Sequence, residues 1–169
     1  MSNVRYLDFR ACMDLVSERM IREIPTINAG GCAFFASELI KRMRDAGITN
    51  INVAIFGDPL EYDPNKVPNV NDVEHEMILN EFDLFDLEDW NANGVSFAHV
   101  VIEWNGTHWD AIDPFVEDYW KCWPRYEGSF NEEVLHYIGQ YPYGWNPTYD
   151  REYDERVREI LDESFDLLH

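Results

Sequence analysis

Basic residues are scarce in this chain of 169 residues: thirteen Lys and Arg stand against thirty-three Asp and Glu, for a formal charge of −20. Such a field repels phosphate backbones and anionic lipid, so neither direct nucleic-acid binding nor membrane association is expected. Long apolar runs are missing as well, and no window approaches the ~20 apolar residues of a membrane span. The opening MSNVRYLDFRACMDL lacks the cationic stretch and apolar run of a secretory signal, so a cytoplasmic location is expected. The three cysteines, Cys12, Cys32 and Cys122, include no C-x-x-C pair. That argues against a disulfide framework and a zinc knuckle, and the odd count leaves at least one thiol free.

What is present is core material. Apolar residues make up 46% and aromatics 15%, enough for one soluble domain over residues 1–169 that buries roughly 70% of its unfolded surface. The acid is mixed with Trp, Tyr, Phe and Leu, so the disorder signature of high charge with few aromatics does not apply. The bland reading of that acid is a solubilising surface, and a basic substrate or mimicry of DNA are the sharper ones.

Helical periodicity at Cys12, Met13, Val16, Met20, Ile21 and Ile24 predicts a helix that Pro25 ends. Thr26 to Gly31 must turn. A second helix opens near Cys32 and runs through Phe35, Leu39, Ile40 and Met43 to Gly47, placed as its left-handed cap. Ile51 to Phe56 alternates like a strand. Residues 58–92, rich in Pro, Asn and acids, read as an insertion over one end of the core. Val95 to Trp104 reads as a strand, Asn105-Gly106 is the strongest short hairpin signal, and Thr107 to Ile112 returns as the partner. A helical extension over 115–169 carries helices around Asn131 to Ile138 and Asp150 to Leu168, the latter with Tyr153, Val157, Ile160, Leu161 and Phe165 on one side.

Chemistry concentrates in two places. In Asn28-Ala29-Gly30-Gly31-Cys32, two glycines let the backbone turn sharply and deliver a cysteine to the first turn of a helix. There the unpaired amides and the positive end of the helix dipole favour thiolate over thiol, which makes a nucleophile near neutral pH. The Cys32 amide, with Asn28 as the nearest side-chain amide, is a candidate oxyanion site. In the hairpin, a two-residue Asn105-Gly106 loop sets Trp104 across from Thr107, and counting outwards pairs Val101 with Asp110 and His99 with Ile112. His99 and Asp110 then share a face on a diagonal of about 7–8 Å between backbones, within side-chain reach, while Asp113 falls on the other face unless a bulge near Ala111 reverses the sides. Thiolate, imidazole and carboxylate are the set that nucleophilic acyl transfer needs.

The run Gly31-Cys32-Ala33-Phe34-Phe35-Ala36, with Leu39, Met43, Gly47-Ile48 and Val53, resembles the transglutaminase-like core of the papain-like cysteine enzymes, where G-x-C-x-x-F-A opens a helix that ends in G-I before a strand. His99-Val100-Val101-Ile102-Glu103, then Trp109 and Asp113-Pro114, is similar to that superfamily's H-x-x-x-E and W-x-x-x-D-P strands, and the order Cys, His, Asp agrees. The matches span about residues 28–115. The resemblance implies a Cys32, His99 and Asp catalytic triad and no cofactor. Its W-x-x-x-D-P pattern points to Asp113 as the third member, whereas hairpin parity and the shorter spacing of some bacterial and phage relatives point to Asp110, the first choice here. The Gln that precedes the nucleophile by six positions in papain-type proteases is Thr26 in this chain.

Other features take plainer readings. Cys12 reads as buried filler and His108 as solvent-facing beside the turn. His75-Glu76 begins H-E-x-x but meets Leu79, so a zinc-protease motif fails. Asp63-Pro64-Asn65-Lys66-Val67 puts Val67 where a calcium loop needs oxygen. The aromatics from Tyr119 to Trp145 read as core and groove wall.

The expectation is therefore an α+β domain in which the Cys32 helix packs on an antiparallel sheet of strands near 51–57, 95–104 and 107–113. Its chemistry is cysteine-dependent hydrolysis or acyl transfer at an amide bond, as in a protease, amidase, deamidase or transglutaminase, on a peptide or protein substrate of basic character. The competing class is a non-enzymatic acidic binder, either a DNA-mimicking inhibitor or a degenerate member of the fold; a scaffold component of a phage particle is a third. The oligomeric state is left open. The enzyme reading requires that the sulfur at the helix start meet the imidazole; a sulfur sealed inside apolar packing, or a ring pointing elsewhere, leaves a merely globular acidic protein.

Overall fold

A buried stripe of Phe9, Met13, Val16, Ser17 and Met20 makes Tyr6–Glu23 an amphipathic helix, α1, and Pro25 stops it two residues on. The computed structural model describes residues 4–57, 97–111 and 148–168. Ile21, expected on the buried face, is 53% exposed. At 100° per residue it lies roughly 100° from the centre of that stripe, which Phe9 extends instead.

The second helix, α2, spans Cys32–Asp45 and is buried at every position from Cys32 to Ile40. A helix apolar nearly all round belongs in the middle of a domain, and α2 packs against both the sheet and the last helix. It ends in a Schellman motif. Gly47 takes φ 82°, the Gly47 amide donates to the Arg44 carbonyl and the Ile48 amide to the Met43 carbonyl, both at 2.9 Å.

Three antiparallel strands follow in the order β1 (Asn52–Gly57), β2 (Phe97–Trp104) and β3 (Thr107–Trp109). The expected turn forms: Asn105 and Gly106 have φ 53° and 74°, the two positive values of a type I′ hairpin, and Trp104 pairs with Thr107, Glu103 with His108 and Ile102 with Trp109. The β3 ladder is shorter than expected because the backbone bends at Asp110–Ala111 and leaves the sheet. Alternation along the strands sends Val53, Val100, Ile102 and Trp109 into the main core, while Ala54, Phe56 and Val101 form a second cluster on the other face. Both faces are buried.

The last helix, α3 (Asp154–Phe165), follows a 3₁₀ turn at Arg151–Tyr153 whose start is capped by Asp150, and it buries Val157, Ile160, Leu161 and Phe165. Tyr153, expected on that face, is 42% exposed because it sits in the 3₁₀ turn, where each residue rotates by 120° and not by 100°. Phe9 joins the helices to the hairpin, edge-on to Trp109 at 4.8 Å, Trp104 at 5.0 Å and Phe165 at 6.0 Å. An ion cluster ties α2 to α3: Arg42 reaches the buried Glu38 at 3.0 Å and Asp162 at 2.8 Å, and also donates to the Arg158 carbonyl. Burial opposes the Glu38 charge, but the Lys41 and Arg42 hydrogen bonds outweigh it and hold that carboxyl below its usual range.

Among the described residues the architecture is thus α+β, three α-helices and a three-stranded antiparallel sheet. The insertion expected over 58–92, the helix over 131–138, the aromatics from 119 to 145, His75, Cys122 and Asp113 all lie outside the described residues. Among the described residues no helix is long and apolar enough to cross a membrane, and no group of three His, Cys, Asp or Glu side chains could hold a metal.

Candidate active site

The site begins with a turn. Residues 25–30 reverse the chain after α1, with Gly30 at φ 114°, and Gly31 is the residue from which α2 starts. Space, and not φ, demands glycine at 31. A Cβ there would lie 2.6 Å from the Ile27 carbonyl oxygen and 2.9–3.0 Å from the Tyr149 ring. Gly31→Ala is therefore expected to lower stability by about 1–3 kcal/mol through overpacking, measured as a shift in urea midpoint at constant slope. An unchanged midpoint would refute the packing account.

Cys32 follows as the first residue of α2, whose start has no side-chain cap and no acid in its first turn. Its dipole end is therefore left for a negative charge to use. The sheet supplies the partner. His99 stands across from Phe56 on β2, and its Nε2 lies 3.0 Å from Asp110 Oδ2, buried and eleven residues on, beyond the type I′ turn. The Cys32 sulfur is hydrogen-bonded to the same imidazole. With Nε2 given to the carboxylate, Nδ1 is the nitrogen left for the sulfur.

Cys32, His99 and Asp110 are 1%, 5% and 3% exposed. Burial is the strongest influence on His99 and works against its charge. The Asp110 hydrogen bond, then the hydrogen bond and charge of Cys32, overcome it and raise the imidazole to about 9. The ring of His99 thus sits between the Cys32 sulfur and the Asp110 carboxylate. Cys12 shows the contrast. It is equally buried but faces no such partner, and burial alone pushes its thiol up to about 12.

Asn28, in the turn before the helix, has Nδ2 and Oδ1 both shut off from water with no hydrogen-bond partner among the described residues. An orphaned amide costs about 1–3 kcal/mol and asks for an explanation. His108, expected to face solvent, is instead half-buried: its ring lies edge-on to Phe56 at 6.3 Å and its Nε2 is 3.6 Å from Glu103 Oε2 across the strands. The cross-strand neighbours on this covered face give it less water than a turn position alone suggests.

The structure brings together Cys32, His99 and Asp110. Sequence reasoning missed Tyr149, whose backbone and ring brace the turn before Cys32 from the far end of the chain. No local pattern marks such a contact.

No protein-family model, curated protein or solved structure matches the chain. What the site can do is accordingly read from its own atoms: a sulfur able to attack, a ring able to move its proton, and a carboxylate that fixes which ring nitrogen does so.

Proposed function

We propose that the protein is a cysteine-dependent acyl-transfer enzyme or hydrolase acting on an amide bond, with Cys32 as nucleophile, His99 as acid and base, and Asp110 as the orienting carboxylate. The observation that carries this is the buried imidazole of His99 shared between the Cys32 sulfur and Asp110 Oδ2. The papain-like and transglutaminase-like resemblance of residues 28–115 supports the same assignment, and Asp113 is the alternative third member by that pattern.

The Cys32 thiolate attacks the amide carbonyl carbon, a C–S bond forms and the carbonyl electron pair moves to oxygen. The resulting oxyanion takes hydrogen bonds from the Cys32 amide and Asn28 Nδ2, which would give the orphaned amide its partner. Collapse breaks the C–N bond as His99 gives its proton to the leaving nitrogen, and a thioester remains. Water or an amine then attacks the thioester, His99 takes the incoming proton, and the thiolate leaves with its electron pair to restore the starting state. The formal charge of −20 favours a cationic peptide or protein as substrate.

A second reading is favoured by one observation. At 1% exposure the sulfur meets a substrate only when its surroundings part, and a degenerate member of the fold would keep the same buried pair as a structural element in an acidic binder. Turnover separates them. A panel of peptide aminocoumarin amides, with and without a primary amine as acceptor, should give product with wild type and none with Cys32→Ser, and the trapped thioester should map to Cys32 by mass spectrometry. Product formed equally by Cys32→Ser, or a thioester on another residue, would overturn the assignment. Absence of product together with an un-ionised Cys32 at pH 7 would favour the binder.

A further inference from the structure

The turn that presents Cys32 is held by a segment about 120 residues away in the chain. The Ala29 carbonyl accepts two backbone hydrogen bonds, from the Thr148 amide at 2.9 Å and the Tyr149 amide at 3.0 Å. The Tyr149 ring fills the space that a side chain at Gly31 would need, at 2.9–3.0 Å from that missing Cβ. It stacks on Phe34, two residues beyond the nucleophile, with centroids 6.4 Å apart and planes 26° from parallel. The ring is itself fixed. Its hydroxyl donates to Asp154 Oδ1 at 2.6 Å, and Asp154 accepts from Arg151 Nε at 2.9 Å at the start of α3.

We infer that Tyr149 is a positioning residue for Cys32, setting the amino end of α2 through Ala29, Gly31 and Phe34. The inference rests on the acyl-transfer reading above for its purpose, though not for its geometry. Tyr149 touches no reacting atom in this scheme. It acts by preventing the 28–31 turn from rotating, because a small displacement there would move the sulfur off the imidazole and lose the hydrogen bond between them. Burial and then Asp154 push the Tyr149 hydroxyl up, so it remains a neutral donor across the working pH range. The bracing element is tied to the rest of the domain, since α3 is bound to α2 by the Arg42 cluster. Position is thereby transmitted from α3 to Tyr149, to the turn, and to the sulfur.

The test compares Tyr149→Ala, Tyr149→Phe and Thr148→Pro with Val16→Ala, a core change in α1 outside this path. Two quantities are read in each folded variant: the ionisation midpoint of Cys32, from thiolate ultraviolet absorbance after subtraction of the matching Cys32→Ser protein, and amide exchange over residues 28–34. Tyr149→Ala is expected to raise the midpoint by about one pH unit or more, a roughly tenfold fall in the ionisation constant of the thiol, and to speed exchange over 28–34. Thr148→Pro, which removes one donor to Ala29 at an exposed position, should shift both in the same direction by less. Tyr149→Phe, which keeps the ring, should stay closest to wild type. Val16→Ala should lower stability while leaving both readouts in place. The inference is overturned if Tyr149→Ala leaves midpoint and exchange as in wild type, or if Val16→Ala moves them as far. Should Tyr149→Ala not fold, Thr148→Pro decides by the same two readouts. If wild type itself holds no thiolate at neutral pH, the acyl-transfer reading fails, and exchange over 28–34 still decides whether Tyr149 positions the turn.

Discussion

Replacing His99 by alanine is expected to return Cys32 to the state of an ordinary buried thiol. The comparison is internal to the molecule: Cys12, sealed in the core without an imidazole, is pushed up to about 12, and Cys32 at 1% exposure would follow once its cation is gone. The thiolate absorbance of Cys32 at pH 7 should disappear, and turnover of any amide substrate should fall by about 10²–10⁴-fold, the usual worth of a general acid-base. Absorbance unchanged by His99→Ala would end the proposal of a thiolate-imidazolium pair. The ring itself offers a second view, since its titration followed by NMR should centre near 9 and fall when Asp110 becomes Asn. The sign for stability follows from the raised value. His99's own share is complete below about 6.5, where the unfolded ring is also protonated, and is lost as the pH rises through about 9.

The largest structural effect is expected at Phe9. Its ring is fully buried and meets Trp104, Trp109 and Phe165, so it joins α1 to both the hairpin and α3. Phe9→Ala removes those contacts and leaves a cavity with rigid aromatic walls that cannot easily collapse. A loss of about 3–5 kcal/mol is expected in urea unfolding. A loss under about 1 kcal/mol would mean that the aromatic walls relax into the gap and that Phe9 is not the joint described.

Why the hairpin was legible and the brace was not is a matter of range. Asn105-Gly106 admits a type I′ turn, a type I′ turn fixes register, and register decides that His99 and Asp110 share a face. Each step is local and discrete. Gly47 likewise announced the end of α2 because a left-handed residue there has few alternatives to glycine. Periodicity was weaker where it met an edge. Ile21 fits the apolar composition of α1 but not its angle, and Tyr153 fails because a 3₁₀ turn changes the rotation just before α3 begins. Tyr149 could not be read at all, since its value lies in meeting Gly31 from the other end of the chain, and nothing in the intervening letters encodes that distance. Burial of the sulfur was equally invisible, because a helix start looks exposed until the rest of the domain is packed against it.

The enclosure of α2 from Cys32 to Ile40 has a practical corollary for handling the protein. A helix buried on all sides over its first nine residues cannot peel away by itself from that end, so the placement of Cys32 should be lost only when the whole cooperative unit opens. Inactivation on heating should then coincide with the melting of the domain, with no milder, reversible loss at lower temperature.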